Sequence, residues 1–340
     1  MPAIASGKVL VTGANGYIAA WIVKYFLEAG FSVRGTVRDV SKGAHLMDVF
    51  SSYGDKLEFV AVEDMTQDDA FYAAAAAVDA IVHTASPVNL DADDPNEEIE
   101  PAVRGTLSAL RAAAHTPSVR RVVTVSSFAA VVDRAATGAR VYDESMWNDA
   151  DLAKYAASKV HAERAAWAYF RAAKAEAEAT GEELRWDLAV VVPPWVFGPT
   201  IHEVRGGPET LNGSNLYLHK VVFEGVMLGK PWEDWGLAAG KFSSKAHSVS
   251  PTYDPSATYE TRINSNRARE VIGMTKYHSI EETMKDIIAD YAARGSSYSS
   301  FSSRDVYKST IGPHARTLLR LSKPSRTLRG NSKQEACTDR

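Results

Sequence analysis

Over the first 200 residues, short runs of β-branched and aliphatic residues alternate with longer stretches of helical periodicity, and this alternation restricts the fold more than any other feature. The runs are Lys8 to Val11, Phe31 to Val37, Leu57 to Val62, Ala80 to His83, Arg121 to Val125 and Leu188 to Val196. Between the first two, Ile18, Trp21, Ile22, Tyr25 and Phe26 recur at the spacing of one helix face. Strands this apolar are buried on both sides, so six of them separated by helices predict a parallel sheet covered by helices on both faces. The expected architecture is a doubly wound α/β sheet. Ligands of such sheets sit beyond the carboxyl ends of the strands, which directs attention to the residues just after each run.

After the first run comes Thr12-Gly13-Ala14-Asn15-Gly16-Tyr17-Ile18-Ala19, opening the first helix. Gly13 lets the chain turn tightly and Gly16 lets backbone approach a pyrophosphate. The helix start supplies unpaired N–H groups for it, with Asn15, Tyr17 and Ile18 around the turn. A Gly-rich turn is also plain structure, but its place at the head of a βαβ pattern points to a dinucleotide site of Rossmann type. Ala19 holds the third position, which still allows close packing of helix on strand. An acid that would bind both ribose hydroxyls of NAD is missing at the end of the second run. Val37 and Arg38 stand there, with Lys42 four residues on, and two cations suit a 2′-phosphate. NADP(H) is the expected cofactor; the plain alternative is two solvated cations, with Asp39 partly neutralising Arg38.

The fifth run ends in Ser126-Ser127-Phe128, and Tyr155-Ala156-Ala157-Ser158-Lys159 follows 28 residues after Ser127. On a helix, Tyr155 and Lys159 project from one face. An ammonium there, with a cationic nicotinamide ring, is expected to bring the phenol from about pH 10 toward neutrality, where proton transfer with a substrate oxygen is efficient. Ser127 would hold and polarise a carbonyl oxygen. The structural alternative has Tyr155 packing on the sheet and Lys159 solvated. Of the 14 tyrosines, only Tyr155 has a lysine four residues later.

Composition adds exclusions. With 45% hydrophobic and 24% charged residues, the chain is an ordinary globular one. The net charge of −4 divides into +7 over residues 294–340 and −11 over the rest, and an acidic body argues against a nucleic-acid partner. The one cysteine, Cys337, excludes an internal disulfide or a Cys-based zinc site, so no metal is expected and a reducing, cytoplasmic setting fits. No apolar stretch of membrane length and no secretory leader are visible. Past Pro199 the pattern weakens: a helical stretch is expected around Leu216 to Met227 and little structure from Pro231 to about Tyr259. A closing helix carries Ile280, Met284, Ile287, Ile288 and Tyr291. Residues 294–340, basic and Ser-rich, read as a disordered tail. The expected division is 1–199 for the nucleotide, 200–293 as a substrate lobe and 294–340 as tail.

The stretches Val11 to Ala19, Val37 to Lys42, Val62 to Met65, His83 to Pro87, Val123 to Ala130, Tyr155 to Lys159 and Val196 to Pro199 resemble the extended short-chain dehydrogenase/reductases. The resemblance is nearest to the fungal aldehyde/ketone (methylglyoxal) reductases, relatives of dihydroflavonol and cinnamoyl-CoA reductases, and covers about residues 1–230 and 257–293. It implies NADPH-dependent reduction of an aldehyde or ketone, a small-molecule carbonyl, with Ser127, Tyr155 and Lys159 as the catalytic group. It further implies that Asp64 and Met65 border the adenine and that Thr84, Ala85 and Ser86 line the nicotinamide ribose. Pro193 and Val196 would support the nicotinamide, and Ser86 and Phe128 would face the substrate. Relatives carry a longer segment before the closing helix, and nothing like it stands between Trp235 and Ser256, so the resemblance implies a truncated substrate lobe. Two other readings remain: epimerase- or steroid dehydrogenase-type chemistry on the same nucleotide site, and nucleotide binding without turnover. The sequence leaves oligomeric state open.

Overall fold

The computed structural model describes residues 4–87, 94–133, 140–149, 154–220 and 261–294, apart from 273, 275–277 and 279. The expected runs become strands β1 (Lys8–Thr12), β2 (Ser32–Val37), β3 (Leu57–Ala61), β4 (Ala80–His83), β5 (Arg121–Val125) and, after the short β6 (Arg140–Tyr142), β7 (Asp187–Val191). Six of them form one parallel sheet in the order β3-β2-β1-β4-β5-β7. The order reverses between β1 and β4, where a crevice opens beyond the strand ends.

Helix α1 (Tyr17–Glu28) buries Ala19, Ala20, Val23 and Leu27 on the sheet, one helical stripe against Val9, Val11 and Val33. Gly30, with φ of +91°, ends it and turns the chain into β2. The short α2 (Ala44–Val49) and α3 (Tyr72–Ala75) precede α4 (Asn96–His115), which packs along α5 (Lys154–Ala179). A second core cluster, including Leu10, Phe71, Ile81 and Leu110, fills the space between α3, α4 and the sheet. Each such fully buried side chain stabilises the fold by about 1.5–3 kcal/mol relative to exposure.

The last expected strand is shorter than its apolar run. Regular pairing ends at Val191, because Pro193 and Pro194 have no N–H to continue a ladder. The chain still runs beside β5: Ser126 N–H donates to Val191 O at 2.8 Å and Phe128 N–H to Pro193 O at 2.9 Å. A further feature was not expected: β6 pairs in parallel with β8 (Thr261–Ile263), a small separate sheet. Its two strands are three residues long, too short to show a period.

In the C-terminal part, α6 (Gly213–His219) begins just before the expected helical stretch and overlaps its start, followed by α7 (Asn266–Ile272) and α8 (Ile280–Ala293). Leu211, Leu218, Ile287 and Tyr291 make a third cluster. Asp290 on α8 accepts from Thr200 N–H and Oγ1 at 3.1 and 2.9 Å, so the closing helix is fastened to the segment after β7. The region from Trp235 to Ser256, the rest of the expected helix to Met227, the Ser-rich stretch and Cys337 lie outside the described residues.

Candidate active site

The turn after β1 is built for close backbone approach. Gly13 has φ of +60°, and a Cβ on it would stand 3.1 Å from Ala85 Cα. Its N–H donates to Thr36 Oγ1 at 3.2 Å, and Ala14 N–H to Thr36 O at 2.9 Å, which ties the turn to β2. Asn15 and Gly16 are exposed, and Gly16 begins α1 with no side chain capping it. The helix start is therefore open to an anion, with the half-buried Ile18 behind it. Tyr17 can contribute only backbone there. Its side chain turns toward the C-terminal part, hydrogen-bonded to the Asn215 side chain and edge-on to His202, and burial pushes the phenol up to about 12.

At the end of β2, Arg38 and Lys42 are exposed and have no ion-pair partner among the described residues. Asp39 does not neutralise Arg38 by contact. It accepts from Ser41 N–H at 2.8 Å to cap the following turn, and hydrogen bonds from the Ser41 side chain and then its backbone hold its carboxyl below the usual range. Lys42 also lines a cavity of about 250 Å³ with Asn15, His45, Leu46, Glu203, Arg205 and Thr210. The turn, the free helix start and the two cations fit a dinucleotide carrying a 2′-phosphate.

Beyond β3, Asp64 accepts from Gln67 and Thr66, which hold it at about 2, while Met65 packs beside Gly105 of α4. Beyond β4, Thr12 Oγ1 accepts from Thr84 and Ala85 N–H at 3.1 and 3.0 Å and meets His83 Nδ1 at 3.0 Å. One threonine hydroxyl thus joins the two sides of the crevice. His83 is held neutral by burial, at about 3, with Lys159 adding to the effect.

Tyr155, Lys159 and Glu163 succeed one another at i, i+4 and i+8 on α5. Lys159 is buried, stands 5.5 Å from the centre of the Tyr155 ring and donates to Ser86 Oγ at 2.9 Å. Burial lowers it to about 8, opposed by Glu98. Tyr155 shares a side-chain hydrogen bond with Ser127, whose Oγ also accepts from Ala129 N–H at 3.2 Å. Ser127, Tyr155, Lys159 and Ser86 are therefore brought together where the strands end. Phe128 lies beside Pro193 through its N–H and is 6.3 Å from Tyr142, ring to ring; Val196 is half-buried three residues on.

The electrostatics correct one expectation. In the chain alone the phenol of Tyr155 is raised, not lowered: burial dominates, the Ser127 bond opposes it and Glu98 adds to it. The ammonium is directed to Ser86, and the phenol keeps its proton at neutral pH.

Sequence reading missed three groups. Glu163 takes the Ser126 hydroxyl at 2.5 Å and a Trp167 hydrogen bond, and burial raises it. Its place one turn beyond Lys159 was the signal. Thr36 was hidden in an apolar strand. Glu98 is buried in the first turn of α4, an acid on the same face as Ala102, Gly105 and Ala109. Among the described residues no cluster of side chains suits a metal ion, and no helix is long and apolar enough to cross a membrane.

The parallel sheet, the glycine turn at its switch point and the serine, tyrosine and lysine at the strand ends define a nucleotide-dependent α/β protein of the short-chain dehydrogenase/reductase class. The profile of the NAD dependent epimerase/dehydratase family matches residues 9–213, and the chain belongs to this family. It is 38% identical over 242 residues to a ketoreductase of Aspergillus niger, covering 67% of each chain. It is 36% identical over 234 residues to aldehyde reductase 2 of Sporidiobolus salmonicolor, covering 64% of each. The chain spans about two thirds of the length of such relatives. The fold is similar to that of the yeast methylglyoxal/isovaleraldehyde reductase complexed with NADPH, with a TM-score of 0.62, 24% identity, and coverage of 83% of this chain and 97% of that one.

Proposed function

We propose that this chain is an NADP-dependent oxidoreductase that reduces the carbonyl of an aldehyde or ketone to an alcohol. The observation that carries the reading is the convergence of Ser127, Tyr155 and Lys159 beyond the strand ends, beside the turn at Gly13 and Gly16. The names of the ketoreductase and aldehyde reductase among its relatives support it. Bound NADPH would supply the hydride.

The pyrophosphate would lie on the N–H groups that open α1, and Arg38 and Lys42 would take the 2′-phosphate. Asp64 and Met65 would border the adenine, Thr84 to Ser86 the ribose, and Pro193 and Val196 the nicotinamide. Ser127 would donate to the carbonyl oxygen and polarise it. As the carbon accepts hydride, the Tyr155 hydroxyl would give its proton to that oxygen, so that charge never accumulates on it. A phenol kept protonated by burial suits this direction of reaction. Lys159, fixed by Ser86, would stabilise the phenolate left behind. Phe128 and Ser86 would bound the substrate.

The test is NADPH oxidation by the full chain with methylglyoxal and a panel of aliphatic and aromatic carbonyls, alongside direct NADPH binding. Turnover with at least one carbonyl is the expected result. Tight NADPH binding with no turnover across the panel would replace this reading by that of a nucleotide-binding protein without reductase activity.

A further inference from the structure

Glu98 is wholly excluded from solvent, and among the described residues neither of its carboxyl oxygens has a hydrogen-bond partner. Burying a carboxyl without partners is costly, and an apolar residue would serve packing on this face better. What surrounds it gives the acid a purpose. Helix α4 packs along α5; burial pushes the Glu98 carboxyl up from the usual range, and the ammonium groups of that helix, Lys159 first and then Lys154, oppose this and favour the carboxylate. Tyr155 in turn feels Glu98.

Among the described residues, the other elements against α4 offer no competing charge. On β4 the titratable group is His83, which burial keeps neutral. On α3 it is Tyr72, stacked on His115 at the opposite end of α4. Arg121 of β5 is paired with Asp187, and Glu163 of α5 is engaged by Ser126 and Trp167.

We propose that Glu98 is a positioning residue for the Tyr155–Lys159 pair, its buried carboxylate being the counter-charge that keeps Lys159 an ammonium and Tyr155 a phenol in a site shielded from water. It acts through its field, since it makes no hydrogen bond to either. The role in turnover rests on the reductase reading; the effect on Lys159 does not.

The test is an NMR titration of the full chain labelled at the lysine Cε, with the Lys159 signal assigned by its loss in Lys159→Met. Loss of the carboxylate in Glu98→Gln should lower the Lys159 midpoint by about 0.5–1 pH unit relative to the wild type. Glu98→Asp, which keeps the charge, should preserve most of the wild-type midpoint. Glu98→Leu, which fits an apolar helix face, should lower it as the amide does and serves if the amide does not fold. The alkaline limb of kcat/KM should move down in the same variants, because both Lys159 and Tyr155 lose their protons earlier. An unmoved Lys159 midpoint in Glu98→Gln and Glu98→Leu overturns the proposal whether or not the chain reduces a carbonyl. A lowered midpoint in a chain that reduces nothing supports the coupling and removes only the reductase reading.

Discussion

Lys159 Nζ donates a 2.9 Å hydrogen bond to Ser86 Oγ, tying the second turn of α5 to the loop after β4. A buried ammonium on a flexible stem is thereby given one orientation beneath the Tyr155 ring. Ser86→Ala removes the acceptor and leaves the ammonium short of a partner. Charged hydrogen bonds are worth about 1.5–3 kcal/mol, so kcat/KM for NADPH-dependent reduction should fall by about tenfold or more. Steady-state kinetics against wild type checks this, and an unchanged kcat/KM would make the contact incidental.

Arg38 and Lys42 are exposed at the end of β2 with no ion-pair contact among the described residues, while Asp39 is occupied with Ser41. Arg38→Ala should raise KM for NADPH and leave that for NADH nearly unchanged, narrowing the preference by about tenfold. Adding Lys42→Ala should narrow it further. The ratio of the two kcat/KM values measures it directly.

Gly13 combines a φ of +60° with a 3.1 Å approach of its missing Cβ to Ala85 Cα. Gly13→Ala has to strain the turn or push the loop after β4 away. Stability should fall by about 1–3 kcal/mol, and NADPH affinity should fall with it because the turn no longer lets a phosphate approach. Urea unfolding and fluorescence titration with NADPH check the two effects separately.

His83 titrates at about 3 in the folded chain because it is buried, against about 6.5 when unfolded. Between those values the unfolded chain binds the extra proton. Stability is therefore full above pH 6.5 and declines as pH falls toward 3, by up to about 1.4 kcal/mol per unit from this group. Wild type should lose about 2 kcal/mol more than His83→Asn between pH 7 and pH 5, as measured by urea unfolding at both values.

Sheet and site were unequally legible. The six strands announce themselves because most of their residues are apolar and covered, fully in β4, almost fully in β1 and partly at the edges in β3 and β7, and so read as near-continuous runs, and Gly13 and Gly16 follow directly from the turn. Pro193 and Pro194 shorten the last strand although the apolar run continues through them, because hydrophobicity alone does not register the missing N–H that the prolines themselves signal. The Tyr155–Lys159 spacing gave their shared face of α5, but not the sign of the effect on the phenol. That sign depends on burial and on Glu98, which is 57 residues away in the chain and joins the site only through the packing of α4 on α5. Likewise, β6 and β8 are too short to carry a period.

The most direct measurement is kcat/KM for NADPH-dependent carbonyl reduction by Tyr155→Phe beside wild type, with NADPH affinity measured on both proteins. Removing the proton donor should lower kcat/KM by about 10²–10⁴-fold while NADPH affinity stays within about threefold. Full activity in Tyr155→Phe would contradict the account, because the proton would then have to come from elsewhere.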